Sequence, residues 1–157
     1  MKTTFTTIAL ALTGAMAAPA AQPIKRQDAQ HPYSIGGISL KHVTETNTYT
    51  YIFYVTQYTS TGEPSLTTTC QTSWNPSVPA GPDSPVTCAH QDFNFFFPTG
   101  VPNLENYELT VNGPAGQVSG EIAAGPKYAC GPYEGIIAGV DYECKSTNGG
   151  LFVFPLV

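Results

Sequence analysis

The sequence is poor in charge: of 157 residues only 11% are Asp, Glu, Lys or Arg, against 41% hydrophobic. An average soluble domain carries about 25% charged residues. That scarcity excludes a helical bundle, whose exposed faces need Glu, Lys and Arg. The hydrophobic share excludes intrinsic disorder, which requires low hydrophobicity and high net charge. Arginine is missing beyond Arg26, and there are only three histidines, His31, His42 and His90. No Gly-x-Ser-x-Gly elbow occurs. The sequon-like triplet Asn75-Pro76-Ser77 is blocked by its proline.

What is present begins with an address label. Lys2 supplies a positive start, Phe5–Leu12 a short apolar stretch, and Ala15-Met16-Ala17 a small-residue cleavage site, the pattern of a secretory signal peptide. The apolar stretch falls short of the ~20 residues that span a bilayer, so no membrane-spanning segment is expected. Residues 1–17 are therefore assigned as signal peptide. Residues 18–26, ending in the dibasic Lys25-Arg26, are assigned as a propeptide. Residues 27–157 form one secreted domain, long enough to close a core. Removing the leader leaves Lys41, Lys127 and Lys145 against eleven acids, a net charge near −8. Nucleic acid and anionic lipid both require clustered Lys and Arg, so neither is an expected partner.

Cys70, Cys88, Cys130 and Cys144 all lie in the mature part. An even count in a secreted chain reads as disulfides, with three possible connectivities. Sequential pairing closes two short loops, each worth about 3 kcal/mol by loop entropy. No cysteine pair has the two-to-four-residue spacing of a zinc site, and no metal or cofactor is expected.

Alternation with period two dominates. Over Asn47–Tyr58 it places Tyr49, Tyr51, Phe53 and Val55 on one face. Asp92–Phe97 repeats it with Phe93, Phe95 and Phe97. Further strands are predicted at Tyr33–His42, Leu66–Ser73, Leu104–Val111, Gln117–Ala123, Tyr133–Glu143 and Leu151–Val157. Asn112-Gly113-Pro114 and Asn148-Gly149-Gly150 supply turns. A Pro-rich loop, Asn75–Pro85, sits between Cys70 and Cys88. About eight strands predict an all-β fold, a single antiparallel β-barrel or β-sandwich with two disulfides.

Catalytic constellations are thin. His90 and Asp92 would share one face of a strand. Glu105 and Glu108 would lie on opposite faces, whereas Asp141 and Glu143 share one and Glu134 begins the same strand. With eleven acids such coincidences are expected, so no catalytic residue is assigned. Aromatics are the remaining resource. Trp74 opens the Pro-rich loop, and Tyr54 and Tyr58 project from the second face of their strand. These three form a candidate recognition surface, because Tyr and Trp bury large area while keeping a polar tip.

The leader, Lys25-Arg26, and the segments Thr69-Cys70, Thr87-Cys88, Phe93-Asn94-Phe95-Phe96-Phe97, Tyr107-Glu108-Leu109, Ala129-Cys130 and Glu143-Cys144 resemble small secreted proteins of filamentous fungi. In particular they are similar to the hypersensitive-response-inducing elicitors of plant defence. The two-plus-two cysteine order is also similar to the fungus-specific β-barrel family of the major mould allergen, which pairs its cysteines sequentially. The chain departs from that family in a longer Pro-rich loop and in lacking an N-terminal cysteine for dimerisation.

The resemblance implies a non-enzymatic effector secreted into the plant apoplast during infection, perceived by plant cells and prompting defence. Its partner would be a plant extracellular or membrane-surface protein, and its state monomeric or weakly oligomeric. The alternative is a cell-wall protein that binds carbohydrate, such as wall polysaccharide, or a small ligand through Trp74, Tyr54 and Tyr58. A secreted hydrolase, or an inhibitor of a host hydrolase acting through the Cys70–Cys88 loop, ranks behind both.

Overall fold

A computed structural model describes residues 31–76, 81–82 and 84–157. The segments expected to be signal peptide and propeptide, and part of the Pro-rich loop, lie outside the described residues. Among the described residues ten strands form: β1 (Tyr33–Val43), β2 (Thr48–Tyr58), β3 (Pro64–Trp74), β4 (Val86–Thr87), β5 (Asn94–Phe96), β6 (Asn106–Gly113), β7 (Gly116–Ala123), β8 (Tyr128–Pro132), β9 (Val140–Ser146) and β10 (Phe152–Val153). The larger sheet runs β3-β2-β1-β9-β8, with β10 also on β1, and the smaller runs β4-β5-β6-β7. All pairings are antiparallel. The sheets face each other as a sandwich and do not close into a barrel. The described residues hold no helix long and apolar enough to cross a membrane.

Alternation in β2 buries Tyr51, Phe53 and Val55. Their faces meet Phe95 of β5 and Tyr107 of β6 across the sandwich, with the Phe53 and Phe95 ring centres 4.9 Å apart, edge to face. Phe93, Phe95 and Phe97 all point inward as the alternation predicts, although only Asn94–Phe96 pairs as strand. In β1 the buried apolar side chains run Tyr33, Ile35, then Ile38, Leu40. This shift of phase comes from a bulge between Gly36 and Ser39, where Gly37 adopts φ +60°. A side chain there would be strained.

Two expected elements change. The strand predicted over Tyr133–Glu143 begins only at Val140, as β9, and Tyr133–Gly139 is instead a loop between β8 and β9. Pro132 ends β8, and Gly139 turns at φ +76°, so alternation in the letters does not become a ladder. The strand predicted over Leu151–Val157 is shorter. After β10 the chain crosses to the other sheet, where Leu156 bridges Val118 and the Val157 amide donates to the Gln117 carbonyl at 3.0 Å. The Asn112-Gly113-Pro114 turn forms as predicted, with Gly113 paired to Gly116. The Ala115 amide in that turn donates to the Tyr33 hydroxyl at 2.6 Å.

The disulfides are Cys70–Cys88 and Cys130–Cys144, the sequential pairing. They do different work. Cys70 lies in β3 of the larger sheet and Cys88 follows β4 of the smaller, so the first bond joins the sheets. Cys130 and Cys144 are direct partners on β8 and β9, so the second reinforces a ladder already made.

Candidate functional site

The predicted catalytic candidates do not assemble. His90 and Asp92 lie in the turn before β5, not on a strand, with Nδ1 and Oδ2 3.8 Å apart. Glu134 lies in the Tyr133–Gly139 loop rather than on a strand. Glu143 is largely buried between Lys145 Nζ at 2.9 Å and Lys41 Nζ at 3.5 Å. Asp141 is the extra residue of a bulge, since β9 advances from Tyr142 to Val140 while β1 advances one step from His42 to Val43. It meets His42, with Oδ1 2.7 Å from Nδ1. Lys41 and His42 are chain neighbours on opposite faces of β1, so Asp141 and Glu143 are drawn apart.

His42 is fully engaged. Its Nε2 lies 3.1 Å from Asn47 Oδ1, and its ring sits 5.0 Å from that of Tyr49. Burial alone would lower the imidazole pKa, but the hydrogen bonds to Asn47 and Asp141 and the Asp141 charge outweigh it and raise it. With an acceptor at each nitrogen the imidazolium form is favoured, which suits a structural tie better than a general base. Glu108 and Glu121 face each other directly on β6 and β7. Glu108 is already held by the Ser119 hydroxyl, which donates to it at 2.9 Å.

The candidate recognition residues divide between two faces. Trp74 is the register partner of Tyr49 and so faces inward, with its ring 5.7 Å from Tyr49 and 5.9 Å from Phe97. Register extends this row: Tyr49 pairs with His42, and His42 with Tyr142. Trp74, Tyr49, His42 and Tyr142 thus line one end of the sandwich, half-buried. The Tyr142 hydroxyl donates to Glu105 at 3.3 Å. Tyr54 and Tyr58 lie on the outer face. Tyr54 is 47% exposed, while the Tyr58 hydroxyl is bound to Ser34 Oγ at 3.0 Å. Trp74 therefore shares no surface with the two tyrosines.

The Tyr133–Gly139 loop carries a feature that alternation concealed. Ile136 is completely exposed and Ile137 half so. The loop base is fastened by the Thr44 amide, which donates to the Gly139 carbonyl at 2.7 Å, and by the Tyr133 amide, which donates to the Asp141 carbonyl at 2.9 Å. The signal in the sequence was the bracketing of an Ile pair by Gly135 and Gly139, which favours a turn over a strand. Among the described residues no three His, Cys, Asp or Glu converge as a metal site. The chain matches no known protein family, no curated protein and no solved structure.

Proposed function

We propose that the chain is a secreted fungal elicitor or effector, perceived in the plant apoplast through surface contact and acting without catalysis. The expected leader and two disulfides in a small β domain support an extracellular compartment. The carrying observation is the Ile136–Ile137 pair, presented to solvent on a loop with a fastened base. Holding two large apolar side chains in water is unfavourable for folding and favourable for a protein contact that buries them. The engagement of His42, Asp141 and Glu143 in structural bonds supports recognition over catalysis.

The partner in this reading is a plant extracellular or membrane-surface protein. Infiltrating purified mature protein into leaves at micromolar dose, and measuring the oxidative burst, tests it. A response is expected, and Ile136→Ser/Ile137→Ser is expected to weaken it at unchanged melting temperature. Silence in several plant species would overturn the elicitor reading. An undiminished response to the variant would move the contact away from the loop.

A further inference from the structure

The outer face of β2 and β3 carries hydroxyls and an amide in a regular array. Register sets Tyr54 beside Thr69, Ile52 beside Gln71, Thr50 beside Ser73 and Thr56 beside Thr67. Hydroxyls and an amide therefore repeat on a lattice of about 4.8 Å across strands and 7 Å along them. None of these side chains is charged. Two depressions open here, one of ≈ 430 Å³ lined by Thr50, Tyr51, Ile52, Gln71, Thr72 and Ser73, the other of ≈ 290 Å³ lined by Thr69 and Gln71 with Thr87, Cys88 and Ala89 beyond the β3 edge. They share Gln71.

Tyr54 stands at the border of this area and is held for contact. A Cβ at Gly37 would lie 2.4 Å from Tyr54 Cδ2 and 2.7 Å from Cε2, so one edge of the ring packs against the glycine. The bulge that Gly37 permits thus doubles as a brace. The ring edge meets Gly37, and the residue remains 47% exposed. An aromatic ring braced along one edge loses little rotamer entropy when a second flat surface stacks on its face.

We infer that this face is a binding site for a neutral oligosaccharide, with Tyr54 stacking on one sugar ring and Gln71, flanked by Thr and Ser hydroxyls, bonding to neighbouring ones. Chemistry selects the ligand class. A purely apolar ligand would strand the hydroxyls and amide without partners. A uronate polymer would meet a domain of net charge near −8, and phosphate or sulfate would find no Arg or Lys in either depression. A polyhydroxylated neutral chain offers both apolar ring faces and hydrogen-bonding edges. This site shares no lining residue with the Ile136–Ile137 loop and stands whether or not plant cells respond to the protein.

The test is calorimetric titration of the purified secreted protein with cellulose-, xylan-, β-glucan- and chitin-type oligosaccharides, with polygalacturonate as the acidic control. At least one neutral oligosaccharide is expected to bind. Tyr54→Ala should weaken that binding about tenfold or more, the scale of losing one stacked aromatic face. Tyr54→Phe should retain it within a few fold, and Gln71→Ala should weaken it several-fold at unchanged melting temperature. The Gln71 variant decides the matter if Tyr54→Ala fails to fold. No binding by any neutral member at millimolar concentration, undiminished binding by the Tyr54→Ala and Gln71→Ala variants, or equal binding of polygalacturonate would each overturn the inference.

Discussion

His42 and Asp141 are separated by 99 residues and meet with Nδ1 and Oδ1 2.7 Å apart. The contact ties β1 to the bulge at the start of β9, directly beneath the loop that carries Ile136 and Ile137. Asn47, at φ +47° in the turn between β1 and β2, completes the tie from the other side of the ring.

A dependence on pH follows. The His42 pKa is raised above the ordinary imidazole value of about 6.5 in the folded protein. A raised cationic pKa contributes stability that is fully present below the unfolded value and lost as pH rises through the folded one. The melting temperature of the wild type should therefore exceed that of His42→Gln most at about pH 5.5 and least above about pH 8. Thermal scans across that range check it. An advantage that grows with pH would show that the imidazole is neutral in the fold.

The disulfides should prove unequal. Their loops, with sequence separations of 18 and 14, predict similar entropic contributions of about 3 kcal/mol each. Position separates them, because Cys70–Cys88 joins the two sheets whereas Cys130–Cys144 spans strands already paired. Cys70→Ala/Cys88→Ala is expected to lower the melting temperature more than Cys130→Ala/Cys144→Ala. Equal losses would mean that the sheets are held together by apolar packing alone.

Much of this architecture was legible because the core is written locally. Tyr51, Phe53 and Val55, or Phe93, Phe95 and Phe97, declare their face through period two, and the turn at Asn112-Gly113 declares itself by composition. What escaped was everything that depends on register between distant strands. Nothing near Trp74 states that it will sit opposite Tyr49, or near His42 that Asp141 will reach it. The Gly36-Gly37 bulge shifts the buried phase of β1 by one residue, and alternation cannot anticipate an insertion. Tyr133–Gly139 failed for the opposite reason, since its apolar letters suggested a strand while Pro132 and Gly139 had already ended one.

The buried tyrosine cluster offers a test of core polarity. The Tyr107 hydroxyl donates to that of Tyr51 at 3.0 Å and lies 3.5 Å from that of Tyr128, which itself donates to the Leu104 carbonyl at 3.1 Å. Burial raises the pKa of all three. Tyr107→Phe removes the central hydroxyl and leaves the others short of a partner, at a cost of about 1–3 kcal/mol. Denaturant titration should show that loss without a change in slope. A neutral outcome would mean that its neighbours find other partners. In the wild type these three should not ionise in ultraviolet titration until the protein unfolds in alkali.

Gly120 is required by what lies over it. A Cβ there would come within 2.2 Å of the Phe154 ring, and Phe154 is buried. Gly120→Ala must therefore push the C-terminal segment away from β7, and a destabilisation of about 1–3 kcal/mol is expected for overpacking of this kind. Gly125, whose Cβ would meet nothing within 4 Å, is the control. Gly125→Ala should stay within about 0.5 kcal/mol of wild type. Thermal melts of the two variants separate crowding at Gly120 from the general effect of replacing a glycine by alanine.

The opposed carboxylates on β6 and β7 mark a place where the native sequence is not optimal. Glu108 and Glu121 are direct cross-strand partners, and like charges so placed repel. Glu108 is fixed by Ser119, so Glu121 is the residue to change. Glu121→Lys replaces repulsion with attraction and adds a cation to a strongly acidic domain. It should stabilise by about 0.2–1 kcal/mol, and the gain should shrink in ~1 M salt, where charges beyond about 3 Å are screened. A gain that persists undiminished in salt would point to packing by the lysine stem along the sheet, and a loss would show that Glu121 holds a contact stronger than the repulsion.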